Sequence, residues 1–536
     1  MDFDFQYHPY PSQRTTVFAQ GGMVATSQPL AAQVGLDILK QGGNAIDAAI
    51  ATASALTVLE PTSNGIGGDA FALVWTKGKL HGLNASGPAP KRLTIDAVKT
   101  RGYNKIPAHG MIPVTVPGAP SAWAELSKKF GCLPLKEVLQ PAIDYAENGY
   151  PISPTLGKYW ELAYNRYKQI LTTEEFRPWF ETFAPNGRAP KVGEIWHSKN
   201  HAATLRSIAE SSAESFYRGE LADKIAAFSE RYQGFISKED LAGYRAEWVE
   251  PIKVNYRGYD VWEIPPNGQG LVALLGLNIV KGFEFSEKET VDTYHKQIEA
   301  MKLAFTDGKA NITDPAFMKM NLADVLSDEY GESRRREIVD EAMVPHPYEP
   351  SRGGTVYLAA ADGEGNMVSF IQSNYMGFGS GIVVQDTGIA LQNRGCDFSL
   401  DPSHPNALRP GAKTYHTIIP GFLTKGDQAV GPFGVMGGYM QPQGHLQVIM
   451  NTIDFGLNPQ AALDAPRWQW IEGKKVEVEP HFPNHLAQAL IRKGNQIEVA
   501  LDAGGFGRGQ IIWRNPESCV LMGGTESRTD GAIAAW

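Results

Sequence analysis

Cysteine is scarce: three residues in 536, Cys132, Cys396 and Cys519, with no CxxC spacing. Three thiols cannot build a disulfide framework, and a reducing compartment, the cytoplasm, fits that scarcity best. No apolar run nears the ~18 residues that a membrane-spanning helix needs. The first ten residues, MDFDFQYHPY, have no basic segment followed by an apolar stretch, so no signal peptide is expected. Surplus positive charge is missing too. The net charge is −9 with both signs interspersed, which argues against nucleic acid and anionic membrane as partners. Several catalytic signatures are absent: GxxxxGK[ST], HExxH and GxSxG. His197 and His201 are four apart without an intervening Glu, so a surface helix is expected there rather than a zinc site. Gly67-Gly68 and Gly504-Gly505 lack the spacing of a dinucleotide loop. Neither a metal nor an organic cofactor is expected.

What is present reads as a soluble globular chain, 43% apolar and 20% charged, long enough for one large core or two ordinary ones. Residues 29–40 form an amphipathic pattern ended by Gly42-Gly43. Asn44 then caps a run over 45–59 that is apolar nearly all round and therefore expected to be buried. Residues 61–69 predict a tight loop, and 71–75 with 79–83 a hairpin around Lys77-Gly78. From about 119 to 305 the period is mostly helical, over 123–130, 135–148, 201–210, 221–230 and 291–305, with strand signals only at 254–264. Residues 316–354 are polar and densely charged, carry Arg334-Arg335-Arg336, and predict an exposed, mobile connector. After Gly354 short strand-like runs take over (355–361, 367–372, 382–384, 389–391, 417–423, 429–436), followed by helices at 441–452 and 459–463. The composition therefore divides at 354/355, helix-rich before and strand-rich after.

Thr355 stands at that division, after Gly353-Gly354 and before a strand. Two readings fit. One is a glycine turn entering a strand, where threonine is favoured. The other is a peptide bond that cuts itself. Thr355 attacks the carbonyl of Gly354, the chain breaks, and the freed α-amine becomes a base. Glycine on the acyl side suits this, because no Cβ obstructs the attack. A free α-amine has a pKa of about 7.7–8.0 and can take the hydroxyl proton near neutral pH. Gly437-Gly438 likewise reads either as an ordinary strand-to-helix turn or as two backbone N–H donors for a developing oxyanion.

Longer stretches carry a resemblance. Residues 36–71 (LDILKQGGNAIDAAIATASALTVLEPTSNGIGGDAF), 203–221, 299–315 (EAMKLAFTDGKANITDP), 355–399 with FGSGI at 378–382, Gly437-Gly438, and 454–466 (DFGLNPQAALDAP) resemble γ-glutamyltransferases, in order and over nearly the whole chain. The resemblance implies a four-layer αββα sandwich of the N-terminal-nucleophile hydrolase type. It implies a proenzyme that cleaves itself between Gly354 and Thr355 into a large subunit (1–354) and a small one (355–536) sharing one domain, and transfer or hydrolysis of acyl amides through a threonyl acyl-enzyme. Counting from DGEGN at 362–366 puts the nucleophile at Thr355, and Ser373 stands where the family has a second, supporting threonine. Gly437 and Gly438 take the oxyanion role.

The departures shape the expected substrate. Val356 and Tyr357 replace the family's hydroxyl residue and His, and Ser86 lies where an arginine gripping the γ-glutamyl carboxylate is expected. Tyr375 replaces a substrate-binding asparagine and Arg394 a glutamine, while Asp397, similar to the anchor of the substrate amino group, is retained. The family's paired serines fall at Ala412-Lys413, with His416-Thr417 close behind. The NRG at 393–395 and QPQ at 441–443 resemble the branch holding oxamate amidohydrolases and some cephalosporin acylases. Ser86 cannot supply a charged fork, so Arg394 is expected to hold the substrate carboxylate, with an ion pair to Asp397 as the other reading of the same residue. Arg394, Asp397, Tyr375, Lys413, His416 and Ser86 are the expected substrate contacts. Three functions stay open: cleavage of γ-glutamyl, glutathione-type amides; hydrolysis of other small amides, oxamate or glutaryl; and a catalytically dead binding module. The expected partners are a small amide substrate and the two subunits of one precursor. A homo-oligomer is left open.

Overall fold

The computed structural model describes residues 14–345 and 354–536. Along the strand Gly354–Asp362 the side chains alternate in destination: Val356, Leu358 and Ala360 face a helical layer, while Tyr357, Ala359 and Ala361 face a second sheet. A strand buried on both faces needs a layer on each side, and the fold supplies them.

Two seven-stranded sheets form the centre. The first runs Val17–Ala19, Leu521–Thr525, Arg508–Arg514, Gln428–Met436, Gly421–Lys425, Tyr259–Glu263, Ile252–Tyr256. The second runs Ala532–Ala535, Gly22–Thr26, Gly354–Asp362, Met367–Tyr375, Asp69–Thr76, Lys79–Ala85, Glu247–Val249. A core of Met23, Phe71, Leu73, Tyr357, Phe422 and Ile512 fills the space between them. The outer face of the second sheet packs under the helices Pro29–Lys40, Ala45–Leu59 and Leu135–Asn148; that of the first packs under Gly270–Val280, Val291–Asn311 and Met440–Ile453. The result is the αββα sandwich.

Asn44 caps the buried helix Ala45–Leu59 by accepting from the N–H groups of Ile46 and Asp47, both at 3.0 Å, and all fifteen helical residues are buried. The division at 354/355 is less compositional than the periodicity suggested. The first sheet draws three strands from before Gly354 and four from Gly354 on; the second draws four and three. Gly22–Thr26 and Glu247–Val249 are too short and too mixed in pattern to read as strands. Helices Pro154–Ile170 and Gly270–Val280 also escape the periodicity. The second is apolar all round and so has no polar face to betray its period. Conversely, 382–384 and 389–391 make only isolated bridges, Val383 to Ala390 and Leu391 to Gly67.

The expected connector is ordered over much of its length. It holds the short helices Leu322–Val325 and Asp328–Arg335, and Arg334 pairs with Asp307. Met343 is pinned by the buried pair Glu299–Lys302, donating its N–H to Glu299 Oε2 at 3.0 Å and accepting from Lys302 Nζ at 3.2 Å. The remaining part, 346–353, lies outside the described residues. His201 is buried rather than on a surface, with Nδ1 2.9 Å from Ser198 Oγ and its ring against Phe183 and Trp196.

Candidate active site

At the start of the strand Gly354–Asp362, Gly354 pairs with Tyr375 and Val356 with Gln372. Between these pairs Thr355 alone stands opposite two residues, Ser373 and Asn374, so the neighbouring strand carries a β-bulge there. Thr355 is buried, and its Oγ lies 3.0 Å from Ser373 Oγ on the neighbouring strand. The protons can be placed by elimination. Ser373 Oγ donates to the carbonyl oxygen of Gly354 at 2.8 Å and accepts from Tyr375 N–H at 2.8 Å. Its single hydrogen being used, it accepts from Thr355 as well. One hydroxyl thus touches both the Thr355 hydroxyl oxygen and the Gly354 carbonyl.

Tyr375, at the strand's end, has φ +75°, a left-handed conformation costing a non-glycine residue about 1–3 kcal/mol. Its hydroxyl donates to Asp397 Oδ1 at 2.7 Å, and the Arg394 guanidinium stacks 3.8 Å from its ring centroid. Arg394 is fully buried in the short helical turn Arg394–Asp397. Its Nη1 donates to Thr417 Oγ at 2.9 Å and stands a long 3.5 Å from Asp397 Oδ2. Nε and Nη2 have no hydrogen-bond partner among the described residues. A buried guanidinium with open donors is costly unless a ligand completes it, so an ion pair with Asp397 does not fully account for Arg394.

In the facing sheet, Gln428–Met436 ends in Gly437 (φ +137°) and Gly438 (φ +58°) before the helix Met440–Ile453. Both angles exclude most side chains, which explains the paired glycine. The Gly437 carbonyl accepts from Met440 N–H at 3.0 Å, and the Gly438 carbonyl from Gln269 Nε2 at 2.9 Å. The two sheets meet closely: a Cβ on Gly434 would come 2.5 Å from the Tyr357 ring. Tyr357, standing where a histidine was expected, bonds Ser369 Oγ through its hydroxyl at 2.8 Å.

Three expected substrate contacts are engaged by the protein itself. Ser86 Oγ donates to Asn84 Oδ1 at 2.7 Å within a buried cluster that includes Asn267. Lys413 Nζ donates to Glu247 Oε2 at 2.7 Å. His416 accepts at Nδ1 from Ile418 N–H, so Nε2 carries the proton that meets Asp69 Oδ2 at 3.0 Å. Burial, with Arg394 and Lys413 nearby, holds that imidazole well below its ordinary pKa and therefore neutral. Burial also pushes Asp69 up to about 7, against the opposing pull of Arg394. Ser86, Lys413 and His416 thus have protein partners for these polar atoms.

Two residues that the sequence reading did not single out belong to the site. Lys309, from the helix Val291–Asn311, donates to Tyr439 Oη and lies 4.1 Å from the Tyr415 ring centroid. Burial lowers its pKa to about 7, Asp397 raising it and Arg394 lowering it further. Gln269, fully buried, reaches from the first turn of the helix Gly270–Val280 to the glycine pair. A lone Lys in a helix and a Gln in PPNGQG give no periodic or motif signal of their own.

A buried threonine at the head of a central strand, bonded to a second hydroxyl inside an αββα sandwich, is the architecture of the N-terminal-nucleophile hydrolases. The chain belongs to the γ-glutamyltranspeptidase family, whose model matches residues 31–536. It is 37% identical to the glutathione hydrolase-like YwrD proenzyme of Bacillus subtilis, over 95% of this chain and 97% of that one. It is 34% identical to the oxamate amidohydrolase proenzyme of Klebsiella pneumoniae, over 96% and 98%. Among solved structures, the cephalosporin acylase from Bacillus halodurans shares 70% identity at a TM-score of 0.98, covering 100% of this chain and 99% of that one. The protein is therefore an enzyme, a hydrolase or acyltransferase of this family.

Proposed function

We propose that the chain cuts itself between Gly354 and Thr355 and then hydrolyses small amides whose acyl group ends in a carboxylate. The observation that carries the second half is Arg394. It is buried, has two open donors, and rests on Tyr375, whose N–H bonds the hydroxyl partner of the nucleophile. The cephalosporin acylase and oxamate amidohydrolase likenesses support amides other than γ-glutamyl ones. Three free cysteines support the cytoplasm as its compartment.

Self-cleavage follows from the hydroxyl chain. Thr355 Oγ attacks the Gly354 carbonyl carbon as its proton passes to Ser373 Oγ and the Ser373 proton passes to the Gly354 oxygen. The proton now on the former carbonyl oxygen passes to the nitrogen as the C–N bond breaks, the carbonyl re-forms as an ester on Thr355 Oγ, the nitrogen leaves as the Thr355 amine, and water hydrolyses the ester. This gives subunits of 354 residues and the remaining 182 of the 536. In turnover the Thr355 amine accepts the hydroxyl proton, Thr355 Oγ attacks the substrate carbonyl, and the N–H groups of Gly437 and Gly438 hold the oxyanion. The protonated amine gives its proton to the leaving amine, and water resolves the acyl-enzyme.

Asp397 favours γ-glutamyl substrates as a second reading, though Tyr375 and Arg394 already face its two oxygens. A panel of oxamate and of succinyl, glutaryl, γ-glutamyl and uncharged butyryl anilides decides. The carboxylated acyl groups should exceed butyryl by about 10–100-fold in kcat/KM. Equal rates on butyryl anilide would end the carboxylate reading, and a strong preference for γ-glutamyl over glutaryl would favour the second.

Lys309 adds a pH dependence. Its ammonium is charged below about 7 and neutral above. A charged Lys309 beside Arg394 attracts a substrate carboxylate, so KM should rise as pH climbs through that value. The Thr355 amine acts in the opposite direction on kcat, which rises with deprotonation near about 8. Lys309→Arg stays protonated throughout, so the alkaline rise in KM should vanish while the kcat profile stays. Measuring kcat and KM separately from pH 5 to 9 checks this, and an unchanged KM profile in the variant would refute it.

A further inference from the structure

Gln269 joins the two ends of the candidate site through one side chain. Its Nε2 donates to the Thr417 carbonyl at 2.6 Å and to the Gly438 carbonyl at 2.9 Å, and its Oε1 accepts from Tyr415 Oη at 3.0 Å. Thr417 in turn accepts Arg394 Nη1 on its hydroxyl at 2.9 Å. The amide therefore bonds directly to the residue that holds the arginine and to the turn that would hold the oxyanion. The backbone of Gln269 is fixed as well, its N–H donating to the His416 carbonyl at 2.9 Å.

Without this brace the turn would be loosely held. Two successive glycines have the widest conformational freedom of any residue pair. Within the turn the Gly438 carbonyl has only a longer bond, from Gln441 N–H at 3.3 Å. Peptide planarity means that fixing a carbonyl fixes its whole peptide plane. The plane of the Gly437 carbonyl, held by Met440 N–H, carries the Gly438 N–H, and the next plane, whose Gly438 carbonyl Gln269 holds, carries the Tyr439 N–H; Gln269 thus clamps the far side of Gly438 and fixes where the turn stands relative to Thr417.

We propose that Gln269 is a positioning residue that fixes the span between the Gly437-Gly438 turn and Arg394, and so selects the length of the carboxylated acyl chain that the enzyme cleaves. A substrate anchored by its carboxylate at Arg394 presents its carbonyl to the turn only if its chain matches that span. This rests on the reading that Arg394 holds the substrate carboxylate.

The test is Gln269→Glu, which keeps the shape but, when ionised, offers no hydrogen to either carbonyl. Wild type and variant are compared on anilides of the oxalyl, succinyl, glutaryl and adipyl series. Wild type should show one preferred length. In the variant, kcat on that length should fall by about 10–100-fold with KM within about twofold, and the preference over neighbouring lengths should flatten. A fall shared equally by every length, or an unchanged preference, would overturn the proposal. Self-cleavage of the variant reports that it has folded. Should it stay uncut, Tyr415→Phe frees Oε1 while leaving the amide in place and should flatten the preference in the same direction. Arg394→Ala on the same series keeps the two ideas apart. If it leaves KM unchanged, the carboxylate reading fails. If it raises KM while Gln269→Glu preserves the length preference, only the present inference fails.

Discussion

Thr355→Ala is expected to leave a single 536-residue chain whose amide hydrolysis falls by roughly 10⁴-fold or more, the scale of losing a covalent nucleophile. Thr355 supplies two groups at once. In the proposed mechanism its Oγ cuts the chain and attacks the substrate, and its amine, released by the cut, is the base. Alanine removes the first and keeps the second locked in a peptide bond. Ser373 cannot take over, because its hydrogen is already given to the Gly354 carbonyl and its own oxygen sits on the adjacent strand. Thr355→Ser keeps the oxygen on a side chain with freer rotation about χ1, so it should still cut, more slowly. Intact-mass measurement beside an anilide assay reads both effects. An alanine variant that still splits after Gly354, or a wild type that turns over while wholly uncut, would contradict the mechanism.

Arg394→Ala should raise KM for a carboxylated amide roughly 100-fold, about 3 kcal/mol, the usual consequence of truncating one partner of a buried charge pair. The kcat for the same substrate should change little, because in the proposed binding mode Arg394 meets the end of the acyl group away from the bond that breaks. Hydrolysis of an uncharged butyryl anilide should be unaffected, which separates lost recognition from lost structure. Arg394→Lys should not restore binding. A lysine lacks the planar fork that meets a carboxylate with two N–H groups, and it stacks less well than a guanidinium on the ring of Tyr375, 3.8 Å away. Initial-rate kinetics on paired carboxylated and neutral anilides decide the matter. An unchanged KM on the carboxylated substrate would assign Arg394 to the fold alone.

Much of the architecture was legible because it is written in local periodicity. The helices Pro29–Lys40, Ala45–Leu59 and Leu135–Asn148 begin and end where their patterns and caps indicate. The helix Gly270–Val280 was not legible, because burial on every side erases the polar face that periodicity needs. Short strands such as Gly22–Thr26 are defined by their neighbours in the sheet rather than by their own composition. The connector misled for a related reason: its charged residues read as solvated, yet Arg334 and Met343 find partners on the helix Val291–Asn311.

By itself the sequence determined the chemistry on offer: a threonine after glycine at 354/355, a supporting hydroxyl at Ser373, and a glycine pair at 437–438, each expressed in consecutive or nearby residues. Only the tertiary structure decided which charged and polar groups turn inward together. It drew Ser86, Lys413 and His416 into bonds with Asn84, Glu247 and Asp69, and it left Arg394 with open donors beside Tyr375. It also brought Lys309 and Gln269 to the site from helices far away in the chain. The physical reason is that the state of a buried polar group depends on which partners reach it, and most of those partners come from segments more than a hundred residues away in the chain.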